Sequence, residues 1–180
     1  MRSTQLIPGA LAVAATSALI GLGAAPGNAQ IPDSMQPGTT RERGALIECT
    51  GHAGKTKVLA NVYQNRTYGN YLEITVNDGT PAEVSRATES RTKFVTGKKV
   101  RATTRIGGKK LVIAGTAKQT GKVRKVNEVV EDAGYRIVSK GTHKLLKPVL
   151  TVTYGGRTGR LTCDNAFLFD LTVTKTPIVD

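Results

Sequence analysis

The chain has 180 residues, with 26 Lys plus Arg against 13 Asp plus Glu, two Cys, two His and no Trp, for a formal charge of +13. That length holds one domain with a real core, and a hydrophobic fraction of 39% sets it apart from disordered basic tails. Two Cys exclude a four-Cys zinc site or a disulfide-dense scaffold, and the charge argues for an acidic partner rather than a cationic one.

Residues 1–29 read as a secretory signal peptide. Arg2 forms the positive n-region, Leu11–Ala25 is an uncharged apolar stretch, and Gly27-Asn28-Ala29 puts small residues at the cleavage site. The apolar stretch is shorter than the roughly 20 residues that span a bilayer. With no twin Arg, the general export route is expected, and with it a secreted, extracellular protein of bacterial type that could stay with the cell envelope. Residues 30–44 carry two Pro and two Gly and are expected to be a flexible leader.

Residues 45–176 are expected to form a single all-β domain. Val58, Ala60 and Val62 alternate with Lys57, Leu59, Asn61 and Tyr63, and Leu72, Ile74 and Val76 with Tyr71, Glu73 and Thr75, and this period of two marks half-buried strands. Between them, Asn61–Tyr71 gathers three of the five Tyr, and Tyr63, Arg66, Tyr68 and Tyr71 define a candidate binding loop. Gly107-Gly108 suits a two-residue hairpin turn. It pairs Ile106 with Lys109, Thr104 with Leu111 and Ala102 with Ile113 on an inner face, leaving Arg105 opposite Lys110 outside. In Lys122–Asp132 the valines fall three apart, and a short helix competes with an irregular or bulged strand, which the poor helix propensity of Val favours. Gly155-Gly156 repeats the hairpin device and sets Leu150 against Leu161. Phe167, Phe169, Leu171 and Val173 then alternate with Leu168, Asp170, Thr172 and Thr174. The total is about nine or ten strands, spaced as in an antiparallel β-sandwich or a closed β-barrel.

Export makes a Cys49–Cys163 disulfide the expected state. It joins the first strand to a near-terminal one, with Cα atoms about 5.5–6 Å apart, and the hairpin register puts Cys163 on the inner face.

No catalytic constellation emerges. His52 and His143 both read as exposed turn residues, no Ser lies in a nucleophile elbow, and no His/Asp/Glu cluster has metal-ligand spacing. No cofactor is implied. The strongest signal is basic. Residues 91–147 hold sixteen Lys plus Arg and three acids, whereas the flanking parts of the mature chain are near neutral. Lys98, Lys99, Arg101, Arg105, Lys109, Lys110, Lys122, Arg124 and Lys125 are therefore the candidate polyanion-binding residues. The function expected is non-enzymatic binding of an acidic polysaccharide, teichoic-type polymer or other anionic surface, with nucleic acid disfavoured by export and by aromatics at 4%. Two alternatives compete: a closed barrel carrying a small apolar ligand, and a secreted hydrolase or protease inhibitor.

Overall fold

A computed structural model describes residues 36–178. The expected signal peptide and the first part of the expected leader lie outside the described residues. Nine strands follow: β1 (Gly38–Ala53), β2 (Thr56–Asn65), β3 (Gly69–Val76), β4 (Val84–Ser90), β5 (Val95–Thr96), β6 (Lys99–Ile106), β7 (Lys109–Asp132), β8 (Tyr135–Tyr154) and β9 (Arg157–Pro177). They form one antiparallel sheet in the order β4-β3-β2-β1-β9-β8-β7-β6-β5. The sheet curls into a half-barrel. The expected leader is shorter than its composition implies, because β1 begins at Gly38 and Gly38–Gly44 already pair with Phe169–Lys175 of β9.

Both glycine hairpins have the expected register. Ile106 faces Lys109, Thr104 faces Leu111 and Arg105 faces Lys110 across one turn; Leu150 faces Leu161 across the other. All four turn glycines have φ between 53° and 78°, the left-handed region that these tight turns demand and that glycine enters without a Cβ clash. Residues 122–132 are strand, because Val123–Asp132 pairs residue by residue with Tyr135–Lys144. Its valines divide between the two sides of the strand, Val126 and Val130 on one and Val123 and Val129 on the other.

The core fills the hollow of the half-barrel. Ile47, Leu72, Ile74, Ile106, Leu111 and Ile113 are fully enclosed, and each contributes roughly 1.5–3 kcal/mol of transfer free energy. No backbone ladder joins β4 to β5 or β6 among the described residues, but side chains draw the two ends together. The Gln64 amide donates to the Val95 carbonyl at 3.3 Å and accepts from the Val95 N–H at 3.0 Å, acting as a short surrogate strand edge. The Thr88 and Thr104 hydroxyls meet at 2.9 Å.

Cys49 and Cys163 are bonded and stand directly opposite each other on β1 and β9. Their Cα atoms are 3.9 Å apart. The separation is shorter than expected, and the two residues are direct partners in the β1–β9 ladder. Cys49 is buried, whereas Cys163 is only half-buried.

The expected alternation breaks along one line across the sheet. Glu48 faces Asn165 but Cys49 faces Cys163, so Asp164 is an extra residue in β9. The same residue accounts for the shift between β9 and β8. On β7, Thr120-Gly121-Lys122 stand against a single partner position, with Gly121 at φ 79° and the Thr120 hydroxyl donating to the Leu145 carbonyl. These bulges separate the half-barrel from a four-stranded extension built from residues 38–48 of β1, 165–177 of β9, 135–145 of β8 and 123–132 of β7.

Candidate functional site

On the outer side of the half-barrel, β6 exposes Lys99, Arg101, Thr103 and Arg105, while Val100, Ala102, Thr104 and Ile106 point inward. Cross-strand register adds Lys110 and Lys118 from β7, Lys147 from β8 and Arg160 from β9 to the same side. All seven cations are exposed and none makes an ion pair among the described residues. Lys99–Ile106, Lys109–Lys118, Lys147–Tyr154 and Arg157–Thr162 contain no acidic residue, and the remaining outward positions are mostly Thr. Arg105 stands directly opposite Lys110, and Lys118 directly opposite Lys147. Facing like charges destabilise a sheet, so the folded chain carries a repulsion here that an anion would relieve.

The other candidate cations are dispersed. Lys98 lies in the turn before β6, where its carbonyl accepts from the Ala117 N–H. Lys109 sits at the mouth of the half-barrel, its Nζ 5.7 Å from the ring centroid of Tyr154. Lys122, Arg124 and Lys125 lie beyond the bulge line. Arg124 is on the outer side and is ion-paired to Glu128 at 3.1 Å, while Lys125 points to the opposite side. The contiguous run of sequence therefore does not make a contiguous surface. Lys147 and Arg160, outside that run or at its end, join the basic face because β8 and β9 pair back against β7.

The aromatic cluster is tied to the sheet. Tyr63 stacks on Phe169 with centroids 5.8 Å apart, and its hydroxyl accepts from Asn65 Nδ2 at 2.6 Å. Burial, reinforced by Glu42, pushes the Tyr63 pKa to about 12 against the opposing pull of the Asn65 bond. Tyr71 donates to the Tyr68 carbonyl, and Tyr68 shares a hydrogen bond with Thr40 and lies under the Lys175 ammonium. Arg66 is exposed, and its backbone N–H extends the β1–β2 pairing through the Arg43 carbonyl.

The histidines differ from the sequence expectation. Both lie in strands. His52 is exposed near the end of β1. His143 lies in mid-strand on β8, is buried, and stacks on Phe167 with centroids 3.9 Å apart and planes 12° from parallel. Burial lowers its pKa, the Arg124 charge lowers it further, and Glu128 opposes both. Eight residues of β1 separate His52 from the level of His143, about 26 Å at roughly 3.3 Å per residue.

His143 belongs to a cavity of about 640 Å³ on the outer side of the extension. Tyr63, Phe167, Phe169, Leu145 and Leu171 provide its apolar wall, and Glu42, Glu48 and Glu128 add carboxylates to its lining. Glu42 is buried and accepts from Asn65 Nδ2 at 2.8 Å; Glu48 accepts from Asn165 Nδ2 at 2.7 Å. Cross-strand from Phe169, Gly44 has no room for a side chain: a Cβ there would strike the Gln64 carbonyl and sit 2.5 Å from the Phe169 ring. Sequence reasoning missed this cavity. Its available signal was the run Phe167-x-Phe169-x-Leu171 directly after the inward-facing Leu161 and Cys163, whose shared odd numbering hides the bulge at Asp164.

Among the described residues no group of three or more His, Cys, Asp or Glu could hold a metal ion, and no helix is long and apolar enough to cross a membrane. The latter, with the disulfide, is compatible with an extracellular protein. Compared with protein-family models, curated proteins and solved structures, the chain matches none.

Proposed function

We propose that this is a secreted, non-enzymatic β-domain that binds an acidic polymer of the cell envelope or its surroundings through the outer face of β6–β9. The observation that carries the reading is the acid-free surface on which Lys99, Arg101, Arg105, Lys110, Lys118, Lys147 and Arg160 stand with two pairs of facing cations. Clustered like charge raises the local potential and recruits polyanions by counter-ion release. Retention on immobilised heparin and on purified teichoic-type polymer across a salt series tests it. Replacing Arg101, Arg105 and Lys110 with Glu should abolish most of the retention. It should also lower the slope of log affinity against log salt by about 2, at roughly 0.7–0.9 per lost contact on a linear polyanion. The same exchange at Lys122, Arg124 and Lys125 should cost less. Salt-independent elution, or equal loss from the two triples, rejects the reading.

The cavity supports a second reading, binding of a small ligand with a flat apolar body. Packed side chains fill the half-barrel hollow, so the ligand site moves from the interior to the outer groove. A cavity near 640 Å³ is within the range of drug-sized sites. Titration with an anilinonaphthalene dye should show saturable binding that Phe167→Ala weakens; unsaturable binding, or binding unchanged in the variant, removes this option.

A further inference from the structure

The sheet has free edges, and they are not equivalent. Strand β4 is drawn toward β6 by the Thr88–Thr104 contact, and β5 is two residues long. The free side of β1 is partly used, since the Arg43 and Arg41 carbonyls accept from the Arg66 N–H and the Thr67 hydroxyl. Strand β7 differs. Its pairing with β6 ends at Thr116, a single bond from the Ala117 N–H follows, and Val123–Asp132 has β8 on one side and no partner strand on the other among the described residues. Ten residues of unpaired edge are roughly 33 Å of open backbone donors and acceptors.

The side chains on this edge are self-complementary. Reading Lys122-Val-Arg-Lys-Val-Asn-Glu-Val-Val-Glu-Asp132, the first half is basic and the second acidic. Val123 and Val129 are 58% and 53% exposed, unusual for Val in a strand. Both lie on the side opposite Val126, whose outer side is spanned by the Arg124–Glu128 pair.

We infer that two copies of this chain pair through β7, antiparallel, about a two-fold axis at Val126. In that register Arg124 of each copy faces Glu128 of the other, Val123 faces Val129, and Val126 faces itself. Lys122 lies diagonal to Asp132, and no like charges meet. Neighbouring registers are worse: an axis at Glu128 opposes the two Glu128 carboxylates, and an axis at Asn127 sets Val123 against Glu131 and Val126 against Glu128. The perpendicular two-fold keeps each side chain on its own side of the sheet and closes the association at two copies. Backbone bonds supply affinity, as in other strand-addition complexes, and the charge and Val pairs fix the register.

The test uses the full, disulfide-bonded protein. Sedimentation velocity at tens of micromolar should show a dimer. Arg124→Glu and Glu128→Arg should each weaken it at least tenfold, and the double exchange should restore it; both variants place their changes at exposed or half-exposed positions that the monomer tolerates. Val126→Cys should give a disulfide-linked dimer under oxidising conditions, whereas Val130→Cys, facing Lys122 of the other copy, should not. A wild-type monomer at that concentration overturns the inference, as does failure of the double exchange to rescue or equal cross-linking at positions 126 and 130.

Discussion

The extension shares its four strands with the nine-stranded half-barrel, yet β7, β8 and β9 bury opposite sides in the two regions. In the half-barrel Leu111, Ile113, Leu150 and Val152 point into the hollow, and the outer side is mostly Thr, Lys and Arg, with Val149 exposed among them. Beyond the bulge line the buried side chains of β7, β8 and β9 are Val126, His143, Phe169 and Val173, all on the outer side, while Ala45 and Ile47 of β1 still face the core. The hollow is closed by curvature and excludes water from whole side chains. The outer surface of the extension is a single layer whose burial comes from neighbours lying beside one another. One region is held by a core, the other by a ladder and a few stacked rings.

That contrast ranks the expected effects of perturbing each region. The largest is loss of the disulfide, which closes a 114-residue separation at the junction of the two regions. Replacing both Cys49 and Cys163 with Ala should cost about 4–5 kcal/mol on the chain-entropy model, measured by urea unfolding; a loss below about 1 kcal/mol means that the ladder alone holds β1 to β9. Next is Ile113→Ala in the hollow, at about 2–5 kcal/mol, set against Val126→Ala in the extension, at less than half as much. Equal losses erase the distinction between the regions. Gly44→Ala comes third. The new methyl must displace the Gln64 carbonyl and the Phe169 ring, for about 1–3 kcal/mol.

The smallest effect is on pH dependence. Because burial lowers the His143 pKa, the unfolded chain binds the proton more readily. Its contribution is therefore complete above the unfolded value of about 6.5 and is lost as pH falls through that value toward the depressed folded one. Thermal unfolding at pH 8 and pH 5.5 should show a drop that His143→Phe reduces. A drop unchanged in the variant rejects the assignment to His143. Asp170 acts in a lower window: hydrogen bonds from Arg41 and then Arg43 hold its pKa below the usual range, so its contribution is present above about 3.8 and lost only in stronger acid.

How much of this was legible depends on what each feature rests upon. The hairpins at Gly107-Gly108 and Gly155-Gly156 were readable to the residue, because turn chemistry and alternation are local. The all-β class and the disulfide were readable for the same kind of reason. The basic face was half readable: Arg101, Arg105 and Lys110 share a hairpin, but Lys147 and Arg160 reach them only through the pairing of β7 with β8 and β9. His143 was misplaced because Gly141-Thr142-His143-Lys144 resembles a turn in composition. Gly141 is instead a strand residue at φ 154°, against the Asp170 carbonyl and Leu171, and it leaves the strand intact.

Asp164 carries a consequence of its own. Insertions are usually absorbed in loops, where one residue more or less changes little. Here a single residue inside a 21-residue strand decides which way every later side chain points. Were Asp164 taken into the ladder as an ordinary strand residue instead of bulging, Leu161 and Cys163 would still face the hollow, but the unbroken alternation would turn Leu168, Asp170 and Thr172 outward. Phe167 and Phe169 would move to the side now held by the Arg41–Asp170 and Arg43–Asp170 pairs. The strand would then serve one apolar surface or the other, but not both.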